Sequence, residues 1–367
     1  MSYVTALGVA NPPHQIQQSA AANFMVKAMQ LKEEEARRLK ALYKTTGIET
    51  RYSVLSDYQR EYDFEFYPNN AEFEPFPSTA DRMAIYKKHA AALGAKAVTS
   101  ALNQFENFKV DSITHLIVVS CTGMYAPGLD IDLVHRIGLQ NTVQRTGINF
   151  MGCYAAFNAI KLATSITESD RTAKVLVVCV ELCSIHFQKE KTDDNFLSNA
   201  LFADGAAALV LEALPRPGVQ LKTLSFFSDL APAGANDMAW NVGDFGFEMK
   251  LSSYVPDIIK TGIAALTRSL LAQNNSNLNE IAYFAIHPGG KRILEVIEQE
   301  LGITKSQNQH AYNVLRTFGN MSSPTVLFVL RDVLSSLKEN DHGKKVMSFA
   351  FGPGLTLESM TLQVHCQ

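Results

Sequence analysis

One pattern occurs twice in this chain with a spacing of 167 residues, and it limits the chain to folds built from two similar halves. In the first half, a buried strand at 114–121 is followed by a turn at Gly152 and by an apolar helix that starts near Cys153. In the second half, a strand at 281–287 is followed by a glycine turn and by an apolar helix after Asn320. Strands that alternate with helices predict βαβ units, with largely parallel sheets covered on both faces. We therefore expect an α/β fold that arose by internal duplication.

The boundary between the two copies is predicted at residues 215–218. This Pro-Arg-Pro-Gly stretch interrupts both helix and strand and is the best linker signal in the chain. We place an N-terminal half that carries the candidate cysteine at residues 1–215. A C-terminal half that carries the candidate histidine and asparagine follows at residues 216–367.

Composition excludes several classes of function. The 367 residues carry a formal net charge of −3, without a basic arm or an arginine-rich patch, so a nucleic-acid partner is not expected. No apolar run approaches the roughly 18 residues of a membrane-spanning helix, and the N-terminus does not resemble a signal peptide. We expect a cytoplasmic protein. The five cysteines form no CxxC pair beside paired histidines, so reduced thiols are expected and a metal site is not.

Three reactive residues occupy positions that the repeat makes informative. Cys153 lies at a helix N-terminus, where the helix dipole favours a thiolate, although a packed core cysteine would also fit there. His287 ends a buried strand, where open α/β sheets bind their ligands, and Asn320 matches Cys153 in the repeat. Taken singly, the histidine could be a hydrogen-bonded core residue and the asparagine a helix cap. Their matched positions favour one shared site instead.

Several motifs, taken together, resemble the type III polyketide synthases, which form the chalcone and stilbene synthase family. The motifs are Gly152-Cys153 with Ala155-Ala156, Leu201-Phe-Ala-Asp-Gly205, Ile286-His-Pro-Gly-Gly290, Phe318-Gly-Asn-Met-Ser-Ser323 and Phe351-Gly-Pro-Gly-Leu-Thr-Leu-Glu358. The sequence of residues Glu181–Phe187 resembles that of the bacterial branch of this family. The resemblance covers almost the whole chain and implies a thiolase-like fold of αβαβα layers.

The resemblance also implies roles for the three residues. Cys153 would hold the acyl starter, and His287 would form an ion pair with its thiolate and so lower its pKa. His287 and Asn320 would donate hydrogen bonds to the enolate oxygen that forms when malonyl-CoA loses CO₂. No metal and no cofactor besides the coenzyme A thioester substrates is expected. Phe202 matches the family's gatekeeper phenylalanine, and Met249 replaces the second one.

Further expectations concern the cavity, the coenzyme A contacts and the oligomer. By resemblance, the cavity wall consists of Cys121, Cys183, His186, Ser198, Trp240, Met249 and Ser322, with Pro353 shaping its floor. Candidates for binding coenzyme A are Lys40, Lys44, Lys291 and Arg292, with Gly289 and Gly290 at the turn. The family pairs as a homodimer through the region at 122–129, where this chain has Ala126 in place of a methionine found in some members.

The expected reaction is iterative decarboxylative Claisen condensation of malonyl-CoA onto an acyl-CoA starter. Trp240 and His186 should narrow the site for a planar aromatic starter, whereas Ser198 and Met249 leave a path for a thin alkyl chain. We therefore expect a fatty acyl starter, two or three extensions and an alkylpyrone or alkylresorcinol. The alternatives are a synthase that uses malonyl-CoA alone to make a phenolic such as phloroglucinol, and a ketoacyl-synthase III-like enzyme. A further alternative is an inactive scaffold or acyl-binding protein.

Overall fold

The computed structural model of the chain describes residues 1–106, 108–234, 237–252 and 254–367. Its strands are β1 (Tyr3–Ala10), β2 (His14–Gln17), β3 (Thr50–Ser53), β4 (His115–Ser120), β5 (Gln144–Asn149), β6 (Lys174–Leu182), β7 (Asp204–Glu212), β8 (Val219–Leu230), β9 (Met238–Gly243), β10 (Gly246–Leu251), β11 (Ile281–Ile286), β12 (Lys345–Gly352) and β13 (Thr356–Cys366). Its α-helices are α1 (Gln18–Ala28), α2 (Glu33–Thr45), α3 (Thr79–Leu102), α4 (Leu129–Ile137), α5 (Ala155–Ser169), α6 (Asp193–Leu201), α7 (Val255–Ala272), α8 (Lys291–Leu301), α9 (Gln309–Phe318) and α10 (Thr325–Ser336).

The duplication is visible in the strand pairing. One sheet runs in the order β11-β12-β13-β8-β1-β7-β6-β4-β5. In the first half, β1, β7 and β6 pair antiparallel and β6 then pairs parallel with β4. In the second half, β8, β13 and β12 pair antiparallel and β12 pairs parallel with β11. The antiparallel pair β1–β8 joins the two halves through Tyr3–Lys222 and Val4–Leu221.

The expectation of largely parallel sheets is wrong, because antiparallel pairs predominate. Only β4–β5, β4–β6 and β11–β12 are parallel among the pairs of this sheet in the described residues. The connection from β12 to β13 shows the reason, since only the three residues Pro353–Leu355 separate the strands. A parallel crossover needs a dozen or more residues, so these neighbours must run antiparallel.

Five layers result from the way the helices cover the sheet. Helix α3 packs on β1, β6 and β7, and α7 packs on β8 and β13. Each half of the chain contributes one part of this sheet, called here a half-sheet, and the two parts meet at β1 and β8. Helices α5 and α10 lie between the half-sheets, and each contacts strands of both. The apolar faces of α5 and α10 belong to one buried core. This order of layers, αβαβα, confirms the expected architecture. No helix among the described residues is long and apolar enough to cross a membrane.

The ends of these elements position the candidate site. A 3₁₀ turn at Gly152–Tyr154 carries Cys153 and runs directly into α5. His287 directly follows β11, and Phe202 directly follows α6. Asn320 lies between α9 and α10, five residues before the first residue of α10, and is thus less close to its helix than Cys153 is.

Candidate active site

The turn that presents Cys153 depends on a glycine. Gly152 has a φ of +78°, which side-chain-bearing residues rarely adopt. A Cβ added there would lie 2.2 Å from Cδ of Pro353, which is far closer than atoms can approach. The loop after β12 therefore packs directly against the cysteine turn, as the position of Pro353 in the cavity floor requires.

The structure brings the three reactive residues into one buried cavity. The Sγ atom of Cys153 lies 3.9 Å from Oδ1 of Asn320. His287 lines the same cavity, and all three side chains are buried. Both ring nitrogens of His287 lack a hydrogen-bond partner among the described residues. The imidazole is therefore free to exchange a proton or a hydrogen bond with a group bound in the cavity.

Hydrogen bonds fix the orientation of the Asn320 amide. Its Oδ1 accepts from the backbone N–H of Ser322 at 2.9 Å, and its Nδ2 donates to the carbonyl of Gly289 at 3.3 Å. The Asn320 backbone pairs with Leu201 and Ala203, which flank Phe202, the predicted gatekeeper. Main-chain hydrogen bonds thus hold Asn320 and Phe202 side by side.

Burial controls the protonation of the pair. It raises the pKa of Cys153 to about 12, although hydrogen bonds with the Ser322 and Asn320 side chains oppose the rise. Burial lowers the pKa of His287 to about 3. Both pKa shifts are opposite in direction to those that an ion pair between Cys153 and His287 would produce. Each group, taken by itself, is held neutral because the closed cavity withholds water from either charge.

The cavity around the cysteine, called here the cysteine cavity, has a volume of about 590 Å³ including the space at its mouth. The predicted residues that line it with the three reactive ones are Cys121, Cys183, Phe202, Trp240, Met249, Gly289, Ser322 and Pro353. Most of this wall is apolar, and Cys121 packs against the turn that carries Cys153, since its Sγ accepts a hydrogen bond from Gly152 N–H at 2.9 Å. The cysteine cavity is thus suited to a chain with few polar groups.

A second chamber adjoins the cysteine cavity and has a volume of about 580 Å³ including the open space at its mouth. The two share the wall formed by Cys183, Phe202, Trp240 and Met249. Two predicted wall residues, His186 and Ser198, line this second chamber and not the cysteine cavity. The sequence could not assign His186 and Ser198 to a separate cavity, because the second chamber is completed by residues of β3 and α1, and nothing in the sequence marked those residues as part of a binding site.

The shared wall is held in place by specific bonds. Trp240 and Met249 are cross-strand neighbours on the β9–β10 hairpin, and Trp240 Nε1 donates to the Cys121 carbonyl at 2.7 Å. His186 Nε2 donates to the Thr122 carbonyl at 2.8 Å, and its Nδ1 accepts from Phe247 N–H at 2.9 Å. Burial lowers the pKa of His186 to about 3, so the ring is neutral and fastens the hairpin.

The basic candidates lie outside both cavities as the described residues form them. Lys40 and Lys44 are exposed on α2, whereas Lys291 and Arg292 open α8 after Gly290. Lys291 pairs with Glu295 at 3.5 Å, and Arg292 pairs with Asp257 at 3.3 Å. A Cβ on Gly47 would lie 3.5 Å from Cδ of Lys291, so the end of α2 meets the start of α8. Lys44 and Lys291 therefore share one region of the surface.

Sequence reasoning missed a buried acid beside the site. The carboxylate of Glu181 accepts hydrogen bonds from Cys121 N–H at 2.9 Å, Thr122 Oγ1 at 2.7 Å and Ser323 Oγ at 2.6 Å. Burial raises its pKa to about 7. Glu181 thereby ties the first half of the chain to the loop that carries Asn320. Its position in an otherwise apolar strand was the available signal. The described residues contain no cluster of histidine, cysteine and acidic side chains that could hold a metal.

Comparison with known proteins gives relatives over the full chain. This chain is 31% identical over 373 residues to "Alpha-pyrone synthesis polyketide synthase-like Pks18" of Mycobacterium tuberculosis, and the match covers 99% of this chain and 91% of that protein. It is 30% identical over 376 residues to "Probable polyketide synthase 1" of Dictyostelium discoideum, covering 99% of this chain and 11% of that protein.

Solved structures and family models agree with these relatives. PKS-I of the brown alga Ectocarpus siliculosus superposes with a TM-score of 0.91 at 29% identity, covering 99% of this chain and 98% of that one. The C-terminal type III polyketide synthase domain of Steely1 from Dictyostelium gives a TM-score of 0.90 at 29% identity, with 99% of both chains covered. The family models of the N-terminal and C-terminal domains of chalcone and stilbene synthases match residues 1–215 and 223–365. The chain therefore belongs to the chalcone and stilbene synthases, the type III polyketide synthases, which are acyltransferases with a thiolase-like fold.

Proposed function

We propose that Cys153 accepts an acyl group from an acyl-CoA starter and holds it while malonyl-CoA units are added by decarboxylative Claisen condensation. The observation that carries this proposal is the meeting of a thiol, an unpartnered imidazole and an oriented amide in one buried cavity. A thiol with a base beside it is the usual arrangement for covalent acyl transfer. The alternative of an inactive scaffold has no such support, because all three groups are in place.

The nucleophile forms when a proton moves from Cys153 to His287. Burial disfavours the thiolate and the imidazolium separately, but the transfer creates both charges in the same cavity. Each charge then offsets the desolvation of the other, which is the condition under which a buried ion pair persists. The thiolate attacks the thioester carbonyl, and coenzyme A leaves as the thiol.

Decarboxylation of malonyl-CoA uses the same donors. Loss of CO₂ places negative charge on the thioester oxygen, which an imidazole N–H and an amide N–H stabilise by about 3 kcal/mol per donor. One hydrogen of Asn320 Nδ2 bonds to Gly289, so the other is available to the enolate. The enolate carbon attacks the acyl carbonyl on Cys153, and the bond from that carbonyl to Sγ breaks. The chain, now longer by two carbons, is a coenzyme A thioester and must return to Cys153 before the next extension. We propose that these reaction steps use no metal and no further cofactor.

Coenzyme A would enter where the wall of the cysteine cavity meets α8. Gly289 lines the cysteine cavity, and Lys291 opens α8 two residues later. The pantetheine arm would pass Gly289 and Gly290 while the phosphates lie at the surface near Lys44 and Lys291. Lys40 and Arg292 lie on the same two helices, α2 and α8, and the N-terminus of α8 adds its dipole.

The starter that suits these cavities is a fatty acyl group. Trp240 and Met249 leave the cysteine cavity narrow, and the second chamber behind them offers further length. Each buried methylene contributes about 0.8 kcal/mol, which favours an alkyl chain over a short starter. With two or three extensions the product is an alkylpyrone or alkylresorcinol, and the printed name of Pks18 refers to alpha-pyrone synthesis.

Parallel incubations test this assignment. Hexanoyl-, lauroyl- and coumaroyl-CoA are each supplied with malonyl-CoA, beside malonyl-CoA alone, and the products are identified by mass spectrometry. Lauroyl-derived pyrones or resorcinols are the expected result. A phenolic from malonyl-CoA alone would support the phloroglucinol-type alternative, and dependence on an acyl carrier protein would support a ketoacyl-synthase III-like enzyme.

A further inference from the structure

The wall of the second chamber contains one buried polar group without a partner. The side chain of Ser198 is 8% exposed, and its Oγ has no hydrogen-bond partner among the described residues. Other polar side chains of this wall do have partners within the protein, namely Arg51, Ser53, Ser184, His186, Gln188 and Asn199. Ser198 Oγ is therefore the one fully buried hydroxyl of this wall, among the described residues, that has no partner within the protein. Tyr52 also lines the chamber, but its side chain is only partly buried.

The place of Ser198 in the fold connects it with the cysteine cavity. Ser198 lies on α6, and its carbonyl accepts a hydrogen bond from Phe202 N–H at 3.0 Å. The two residues are thus one helical turn apart, and Phe202 forms part of the wall shared by both cavities. A chain that starts on Cys153 and passes Phe202 reaches Ser198 about one helical turn, or roughly 5–6 Å, further on.

Ser198 lies on a helical turn whose neighbouring carbonyls are bound by an arginine. The guanidinium of Arg51 lines the second chamber and donates from Nη1 to the carbonyls of Asn199 at 2.7 Å and Phe202 at 2.9 Å. A positive group thus flanks the C-terminal turn of α6. A methylene placed there would leave the serine hydroxyl unbonded, whereas a hydroxyl or carbonyl oxygen would complete its hydrogen bonding.

We propose that Ser198 is a specificity-determining residue that selects a starter with a hydroxyl group at the far end of its aliphatic chain. The ligand class is a hydroxyacyl thioester, with the acyl carbon on Cys153 and the hydroxyl in the second chamber. This inference rests on the proposed function, because it requires the starter chain to extend past Phe202. It adds a polar recognition site to a path otherwise selected by length and width.

Matched substrate pairs test the inference. Straight-chain acyl-CoAs of six to twelve carbons are compared with their terminally hydroxylated counterparts by measuring kcat/KM in the presence of malonyl-CoA. At the chain length that reaches Ser198, the wild type should prefer the hydroxylated acyl-CoA about tenfold, because one additional hydrogen bond changes kcat/KM by about this factor. Ser198→Ala should lose this preference, so that kcat/KM for each hydroxylated acyl-CoA falls to that for its plain counterpart. The control Ser165→Ala, which removes an exposed serine hydroxyl from α5, should keep the preference.

Each remaining outcome has a clear meaning. Ser198→Ala should melt at or above the wild-type temperature, since it removes an unpaired buried hydroxyl; a lower melting temperature with an unchanged preference would overturn the inference. Extension of plain acyl-CoAs without any hydroxyl preference would also overturn it, because a water molecule would then suffice for Ser198, and the proposed function would stand. Failure to extend any acyl-CoA would refute the proposed function itself.

Discussion

The Sγ atom of Cys153 lies 3.9 Å from Oδ1 of Asn320, although 167 residues separate the two in sequence. Cys153 precedes α5 and Asn320 precedes α10, and these are the equivalent buried helices of the duplicated halves. The first half supplies the thiol, and the second half supplies the amide and the imidazole of His287. The site is therefore complete only where the two halves meet, between the half-sheets.

Replacing the nucleophile should separate condensation from decarboxylation. Cys153→Ala removes the thiol that holds the starter but leaves His287 and Asn320 able to stabilise the enolate. We expect polyketide formation to fall below about one-thousandth of wild type while slow release of CO₂ from malonyl-CoA persists. Labelled malonyl-CoA measures both products, and Cys366→Ala, outside both cavities, is the control. Continued polyketide synthesis would point to Cys121 as the nucleophile.

Much of this arrangement was predictable because it follows from spacing. The repeat at 167 residues and the strand-end position of His287 predicted that Cys153, His287 and Asn320 share a site, and the structure brings them into one cavity. The strand directions were not predictable from hydrophobic pattern alone, because a buried strand reads the same in either direction. Only the three-residue connection Pro353–Leu355 decides that β12 and β13 are antiparallel.

The pH dependence of thiol alkylation tests the proposed ion pair. In the wild type, transfer of the proton to His287 should keep Cys153 reactive toward iodoacetamide at a nearly constant rate from pH 6 to 9. In His287→Gln no imidazolium can form, and burial, which raises the pKa of the Cys153 thiol, is not offset by a neighbouring cation. The thiolate fraction should then rise about tenfold per pH unit over this range. Mass spectrometry of the alkylated protein measures both rates. A tenfold rise per unit in the wild type would show that the resting pair is neutral.

The glycine before the nucleophile should be irreplaceable for a steric reason. Gly152→Ala places a methyl group against Pro353 and also forces alanine to a φ of +78°. Gly138→Ala meets the same φ of +78° but has nothing within 4 Å of its new Cβ, so it isolates the backbone cost of about 1 kcal/mol.

We expect Gly152→Ala to lower kcat at least 100-fold and to reduce the melting temperature by several degrees more than Gly138→Ala does. Adding Pro353→Gly should restore part of the lost stability, because it removes the ring that the methyl group strikes. Differential scanning calorimetry measures the effect. Equal destabilisation by the two alanine variants would mean that the contact with Pro353 is unimportant.

A homodimer should form through the edge of the sheet and the adjoining loop. Strand β5 lies at the end of the sheet order and most of its residues are exposed, which leaves an unpaired edge in the described structure. Met124 in the predicted interface at 122–129 is 50% exposed. Multi-angle light scattering at micromolar concentration should give twice the chain mass for the wild type.

The variant Met124→Glu places a charge in this interface and should shift the protein toward the monomer. Leu214→Glu is the matched control, because Leu214 is 57% exposed but lies outside that loop. A wild-type monomer, or dissociation caused equally by both variants, would contradict the assignment of the interface.

The second chamber could not be predicted, because residues from distant segments of the chain form part of its wall. Its wall includes Arg51 and Tyr58, from segments that carry no motif and no periodic pattern. His186 illustrates the same difficulty, since its sequence position suggested a narrowed starter site. The structure shows that its Nδ1 accepts a hydrogen bond from Phe247 of the β9–β10 hairpin and that its Nε2 donates to the Thr122 carbonyl. Hydrogen-bond partners of this kind depend on tertiary packing and leave no signal in sequence.

The indole of Trp240 should control which starters pass between the two cavities. It forms part of their shared wall, and its Nε1 is anchored to the Cys121 carbonyl at 2.7 Å. Trp240→Gly removes the indole and should join the two spaces, which would admit a planar aromatic group. Trp240→Phe keeps a ring in the wall but loses the anchoring hydrogen bond.

We expect Trp240→Gly to raise kcat/KM for coumaroyl-CoA relative to lauroyl-CoA by about 10- to 100-fold, the range in which pocket shape discriminates between apolar substrates. Trp240→Phe should change this ratio less than about threefold, because a flat ring still divides the cavities. Val242→Gly is the control on the same hairpin, since Val242 is 62% exposed and lines neither cavity. Competition between the two starters, followed by chromatography of the products, measures the ratio. If wild-type enzyme already prefers coumaroyl-CoA, Trp240 does not narrow the path and the assignment of an aliphatic starter fails with it.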